Sequence, residues 1–267
     1  MMEAFHEALG TRKPIIAMAH LPPLPGSPLY DADGGIDALV TAVMRDVEAL
    51  QAGGVDAIMF GNEGDRPYLT KASPESLAAM AVVVARVQPA LRVPFGINYL
   101  WDPVASVALA HATGARFVRE IFTGVYESDM GLWVPDAAGA VRLRRSVGSE
   151  CLLFYNVNAE FASLIGDRTV VARARSAVFA SLADGICVSG PMTGQSVDVS
   201  ELVEVKEALP ATPVIANTGV RLHNVREILD VADAAIVGTS LKEDGDTWRP
   251  VDPDRVHAFM DEVRALR

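Results

Sequence analysis

Short apolar runs alternate with amphipathic segments along the whole chain, and this constrains the fold more than any other feature. Runs readable as strands are Pro14–Ala19, Val55–Phe60, Val93–Ile97, Phe117–Ile121, Cys151–Val157, Gly185–Val188, Pro213–Ala216 and Ala234–Val237. The segments between them carry helical stripes. In Ile36–Gln51, for example, Ala38, Leu39, Ala42, Val43, Val47 and Leu50 face away from Asp37, Arg45 and Glu48. Ser73-Pro74, Asp102-Pro103 and Asp252-Pro253 combine an N-cap side chain with proline in the first turn, and so mark helix starts. Strands separated by helical crossovers build a parallel sheet. About eight such units without interruption fit a closed (β/α)8 barrel as one domain over residues 1–267; an open doubly wound sheet would need fewer, and its G-x-G-x-x-G turn after the first strand is absent. The least regular part is Phe122 to Ala140, and the fourth helix is poorly marked, near Ala140–Gly148.

Composition narrows the partners. Half of the 267 residues are hydrophobic, enough for a large core without disulfides or metals. The net charge, 23 − 34 = −11, argues against nucleic acid and against an anionic membrane surface. The longest apolar run, Leu77–Ala85, is far short of the roughly 20 residues a membrane helix needs, and the first residues lack a signal-peptide pattern, so the expectation is a cytoplasmic protein without an integral membrane segment. Cys151 and Cys187 stand alone in apolar runs and read as buried free thiols. No metal-binding spacing is present, and neither a metal nor another cofactor is expected.

In a barrel, chemistry gathers where strands end. The last two strands each run into a turn of small residues, Asn217-Thr218-Gly219 and Gly238-Thr239-Ser240. Main-chain N–H groups in such turns make an anion site, so Gly219, Val220, Gly238 and Thr239 are the expected phosphate-binding residues. Two ordinary tight turns would use the same glycines. At the other strand ends stand His20, Asn62, Glu63, Asn98, Glu120, Asn156, Asn158, Ser189 and Thr193. Asn62, Asn98, Asn156, Asn158, Ser189, Thr193 and Asn217 suit recognition of sugar hydroxyls, because such groups both donate and accept. Glu63 and Glu120 are the expected acid/base pair, with His20 assisting. The plainer alternatives are a solvated Glu63, a Glu120 paired with Arg116 or Arg119, and a packed His20. Lys242, just past the Gly238 turn, has the chemistry to contact an anion or form a Schiff base, but Glu243 and Asp244 beside it favour a plain surface lysine over covalent chemistry. Tyr126–Trp133 reads as a lid over the rim or, if its aromatics are exposed, as a contact in a homo-oligomer, which is the expected assembly.

Five motifs in order, HLPPLPGSP (20–28), GNEGDRPY (61–68), SGPMTGQ (189–195), NTGV followed by NV (217–225) and VGTSLKEDGDTWRPVD (237–252), resemble the BtpA/SgcQ family. The segment SDMG (128–131) departs from the TDQG form associated with that region. The resemblance implies a phosphate-binding barrel akin to phosphoribosylanthranilate isomerases. It implies either sugar or nucleoside metabolism or a role in photosystem I accumulation. Two functions are therefore expected in competition. One is an enzyme that cleaves an N-glycosidic bond or isomerises a phosphorylated sugar; the other is a non-catalytic assembly or stability factor.

Overall fold

The computed structural model describes residues 1–190 and 195–267. Eight parallel strands close into a barrel: β1 (Ile15–His20), β2 (Ala57–Gly61), β3 (Phe95–Asn98), β4 (Phe117–Glu120), β7 (Leu152–Asn156), β9 (Gly185–Val188), β10 (Val214–Ala216) and β11 (Ala234–Val237). Their order around the barrel is β1-β11-β10-β9-β7-β4-β3-β2, with β2 pairing back onto β1. Outside them lie α2 (Gly35–Gly53), α3 (Pro74–Val87), α4 (Pro103–Thr113), α5 (Ala137–Ser146), α6 (Val170–Ser181), α7 (Val199–Ala208), α8 (Val225–Val231) and α9 (Pro253–Arg264). The expected caps form: Ser73 accepts from the Ser76 N–H, and the carboxylates of Asp102 and Asp252 each accept from two backbone N–H groups at their helix starts.

Because side chains alternate across a strand, each run divides between two cores. Ile15, Ala17, Ile58, Val118, Leu153, Ile186 and Val214 face outward onto the helices. Ile16, Met18, Met59, Phe117, Phe154, Cys187, Ile215 and Ile236 fill the barrel. That inner core is completed by α1 (Met2–Leu9), an element the strand-helix alternation does not announce. Its Phe5 and Leu9 join the inner cluster, and the Phe5 ring centroid lies 5.6 Å from that of Phe154. The N-terminal helix therefore plugs one end of the barrel and leaves the strand C-termini open at the other.

Three expectations need correction. The irregular stretch after β4 contains β5 (Tyr126–Ser128) and β6 (Gly131–Trp133), which form a small antiparallel sheet with β8 (Ala162–Leu164), and α5 begins three residues before the expected start. Tyr126 and Trp133 are buried, so these aromatics are not the exposed surface that an oligomer contact would use; they pack with Trp101 and Ile121 in a third cluster. Lys242 is not on the surface. It is 2% exposed, with Nζ 2.8 Å from Asp46 Oδ2, and Asp46 Oδ1 also accepts from the Val251 N–H. Leu241 and Lys242 both turn inward, and the chain becomes exposed only at Glu243 and Asp244, which follow. Among the described residues, no helix is long and apolar enough to cross a membrane.

Phe5 is fully buried in the inner cluster, against Phe154. We expect Phe5→Ala to cost about 3–5 kcal/mol, the usual toll for deleting a buried aromatic, as measured by urea unfolding. A change below about 1 kcal/mol would mean that α1 is not part of the inner core.

Candidate active site

Continuing the inward parity of each strand by one step reaches the polar layer at the barrel mouth. From Met18 it reaches His20, from Gly96 Asn98, from Phe117 Arg119, from Phe154 Asn156, from Cys187 Ser189, and from Ile215 Asn217. Arg119, only 9% exposed, ties this layer together. Its Nε donates to Asn217 Oδ1 at 2.9 Å and its Nη1 to Asn98 Oδ1 at 2.8 Å. Asn217 Nδ2 in turn donates to Ser189 Oγ at 2.6 Å. Arg119 forms no ion pair among the described residues, so a buried cation stands at the mouth with only amide oxygens as partners.

Above this layer is a cavity of about 320 Å³, lined among others by His20, Glu63, Arg119, Glu120, Asn156, Asn217, Gly219, Val220, Gly238 and Thr239. All three expected acid/base residues and all four expected phosphate residues therefore reach one hollow. Of the expected hydroxyl-reading residues, Asn156 and Asn217 line it and Asn98 lies behind it, against Arg119. Asn62 does not line it: its Oδ1 accepts from the Leu100 N–H and its Nδ2 donates to Asp65, so it braces two loops. Asn158 is likewise committed, exchanging two hydrogen bonds with the Ser189 backbone. Ser189 stands behind Asn217. Thr193 lies outside the described residues.

The two carboxylates differ in environment. Glu120 Oε1 accepts from Asn98 Nδ2 at 3.2 Å and from the Trp101 N–H at 2.7 Å, while Oε2 takes a short bond from the Ile121 N–H. Arg119 and Arg116 are not its ion-pair partners. Glu63 is freer: Oε1 lies 3.8 Å from His20 Nε2, and Oε2 is buried without a hydrogen-bond partner. Burial pushes both carboxyls up to about 7; the Arg119 charge opposes the rise in each, and Glu160 adds to it at Glu63. Burial, together with the charges of Lys242 and Arg119, holds His20 well below the usual imidazole value, although the Thr247 backbone acts the other way. His20 Nδ1 makes no hydrogen bond of acceptable geometry. The pair at the mouth is therefore a neutral imidazole beside a carboxyl poised to titrate near neutral pH.

On the far side of His20 are the two late turns. Gly219 has φ 64, and any side chain there would strike the backbone of Gln195 and Ser196. Thr239 opens a short 3₁₀ turn, Thr239–Leu241, and Ser240 Oγ donates to the Val220 carbonyl, joining one turn to the other. The N–H groups of Gly219, Val220, Thr239 and Ser240 donate to no backbone acceptor among the described residues. Arg221 and Arg255 border the same end. Arg119 is the functional residue that sequence reasoning missed; the parity of Phe117 in the run FVREI was the available signal. Among the described residues, no group of three or more His, Cys, Asp or Glu is placed to hold a metal.

Between the ordinary carboxylate value of 4.5 and about 7, folded Glu63 holds a proton that the unfolded chain has lost, so the fold loses stability as pH rises through that window. The loss is on the order of 3 kcal/mol. Glu63→Gln removes this titration. The Tm of the variant relative to the parent should move in the variant's favour between pH 5 and pH 8, and a pH-independent gap in melting scans would show that Glu63 titrates normally.

Known proteins bear on this geometry at two levels. A phosphoribosyl anthranilate isomerase from Thermus thermophilus superposes with a TM-score of 0.59 at 14% identity, over 95% of this chain and 100% of that one. A native KDPGal structure gives 0.58 at 16%, over 96% and 97%. Likeness at these identities speaks for the TIM-barrel fold alone. Sequence relatives lie nearer. SgcQ, a protein of the sgc region of Escherichia coli (strain K12), is 45% identical over 267 residues, the full length of both chains. The photosystem I biogenesis protein BtpA of Synechocystis sp. (strain PCC 6803) is 33% identical over 254 residues, 94% of this chain and 88% of that one. The BtpA family model matches residues 11–265, and the chain belongs to the BtpA family.

Proposed function

We propose that the protein is an enzyme acting by proton transfer on a phosphorylated sugar or a nucleoside-type compound. The observation that carries the reading is the Glu63–His20 pair, a carboxyl with an unpartnered oxygen and a pKa near 7 beside a neutral imidazole, in the hollow that also holds the two amide-lined turns. The turns at Gly219-Val220 and Gly238-Thr239 hold the phosphate through backbone N–H groups. Asn156 and Asn217 read hydroxyls. Glu63 takes a proton from a carbon or hydroxyl and returns it, His20 Nε2 donates to the oxygen that gains electron density, and Arg119 stabilises the charge developing there.

Two reactions use these parts. Hydrolysis of an N-glycosidic bond by a carboxylate pair needs a second free carboxylate. Both oxygens of Glu120 already accept hydrogen bonds, from three donors in all, which makes Glu120 better suited to fixing the Trp101 loop than to moving protons. Either reaction therefore runs on Glu63 as the one mobile carboxyl: with His20 as acid it serves aldose–ketose isomerisation of a free sugar phosphate, and as the base that activates water it serves N-glycosidic cleavage of a substrate that carries a ring at C1. The competing reading, an assembly factor, draws on the BtpA relative named for photosystem I biogenesis. It gives no role to a buried arginine that makes no direct ion pair among the described residues and stands beside a titrating carboxyl.

Turnover of a panel of phosphosugars and nucleoside monophosphates, followed by proton NMR in D₂O, separates these possibilities. Isomerisation washes deuterium into the carbon that loses its proton, whereas N-glycosidic cleavage releases a free base. Glu63→Gln should lower kcat by about 10²–10⁴ while leaving binding within a few fold. Full activity in that variant removes the mechanism, and absence of both binding and turnover across the panel favours the assembly role.

A further inference from the structure

The end of the cavity away from the phosphate turns is built for a different chemistry. In the ring order β1-β11-β10-β9-β7-β4-β3-β2, β4 stands directly across from β11, and β3 across from β10. The loops on that side bring Tyr68, Trp101, Ile121 and Phe161 to the cavity wall. A sugar phosphate alone offers such rings only a C–H face, which makes less contact than a flat ring stacked on them.

Three features show that the wall is a built one. Trp101 and Phe161 have φ of 71 and 55, the left-handed region that bulky residues occupy only at a cost. Two aromatics are thus held in strained backbone in one wall. Phe161 is 43% exposed, so its ring is available to a ligand rather than spent in the core. Trp101 Nε1 is buried with no hydrogen-bond partner, although the neighbouring Trp133 Nε1 has one in the Trp101 carbonyl at 3.1 Å. The small β6-β5-β8 sheet serves this wall. It holds Trp133 edge-on to Trp101, ring centroids 4.9 Å apart at 79°, while Tyr68 leans on Trp101 from the other loop at 6.1 Å.

We infer that this pole takes a flat unsaturated ring, so that the substrate is a phosphate ester whose sugar carries a heteroaromatic group, of which a nucleobase is the commonest kind. This rests on the reading of the cavity as a phosphate-ester site and adds what stands at the far end. Stacking on the aromatic wall tolerates many ring types, and the Trp101 N–H supplies one donor to a ring nitrogen or carbonyl.

Calorimetric titration of the full chain with ribose 5-phosphate and with the four common nucleoside 5′-monophosphates tests the inference. The parent protein should bind at least one nucleotide about tenfold more tightly than ribose 5-phosphate. Phe161→Ala, at an exposed position where folding is not at stake, and Trp101→Phe, which keeps a ring but loses the donor, should each remove most of that advantage. Both should leave the ribose 5-phosphate affinity within about twofold. If ribose 5-phosphate binds and no nucleotide binds more tightly, the inference falls while the phosphate-ester reading stands. If an advantage exists but survives both substitutions, the ring sits elsewhere and the inference falls. If neither kind of probe binds, the underlying reading fails and the inference fails with it.

Discussion

The barrel mouth is organised by one buried guanidinium. Arg119 points inward from β4, bonds to Asn98 on one side and Asn217 on the other, and makes no direct ion pair among the described residues, with Glu63 and Glu120 acting on it only through space. A cation so placed is costly unless something supplies opposing charge. Its contrast is Lys242, equally buried but neutralised by Asp46 at 2.8 Å. One cation is a structural tie between a late loop and α2; the other faces an open hollow. The Arg119 field acts downward on the Glu63 carboxyl and on His20, which keeps the acid near 7 instead of higher and favours a neutral imidazole. The acid/base character of the mouth is thus set first by burial, with Arg119 contributing through space without a hydrogen bond to either group.

Much of the scaffold was legible in the chain because it rests on local signals. Gly185–Val188 and Ala234–Val237 coincide with the strands observed, and the Ser73, Asp102 and Asp252 caps fall where side-chain chemistry puts them. Other strand starts, that of β4 at Phe117 excepted, slipped by one or two residues, since runs buried on both faces carry no alternation to mark their edges. The short α1 escaped because nothing in the βα alternation calls for a helix before the first strand. The β6-β5-β8 sheet escaped because three-residue strands have too little pattern to read.

The site was legible by residue type but not by role. Asn62 and Asn98 look alike in sequence, each at the end of an apolar run, yet one braces a loop and the other joins Arg119, because a single step in strand parity decides which way each faces. Glu63 and Glu120 look alike too. What separates them is whether neighbouring N–H groups point at the carboxylate, and that depends on how the loop after β3 turns back over β4, a non-local event. The same limit hid Lys242, whose acidic neighbours suggested solvent.

The closeness of Glu63 and His20 has its origin in what the adjacent strands lack. His20 ends β1, whose neighbours in the ring are β2 and β11, and the positions beside it are Gly61, its register partner, and Gly238. A Cβ at 61 would lie 2.4 Å from Glu63 Oε2, and one at 238 would lie 3.1 Å from the His20 ring. The carboxyl folds back over the end of β2 into space that a Cβ at 61 would take, and the imidazole lies against the end of β11 so closely that a Cβ at 238 would have to be met by a small shift of the ring. Any side chain on β2 here would push Glu63 outward into water, where its pKa would return to the ordinary range and the poised proton would be lost. The two glycines therefore set the proton chemistry as surely as the residues that carry it. They do so through space rather than charge, so the Glu63–His20 pairing is written into strand ends on either side of the histidine as well as into the histidine itself.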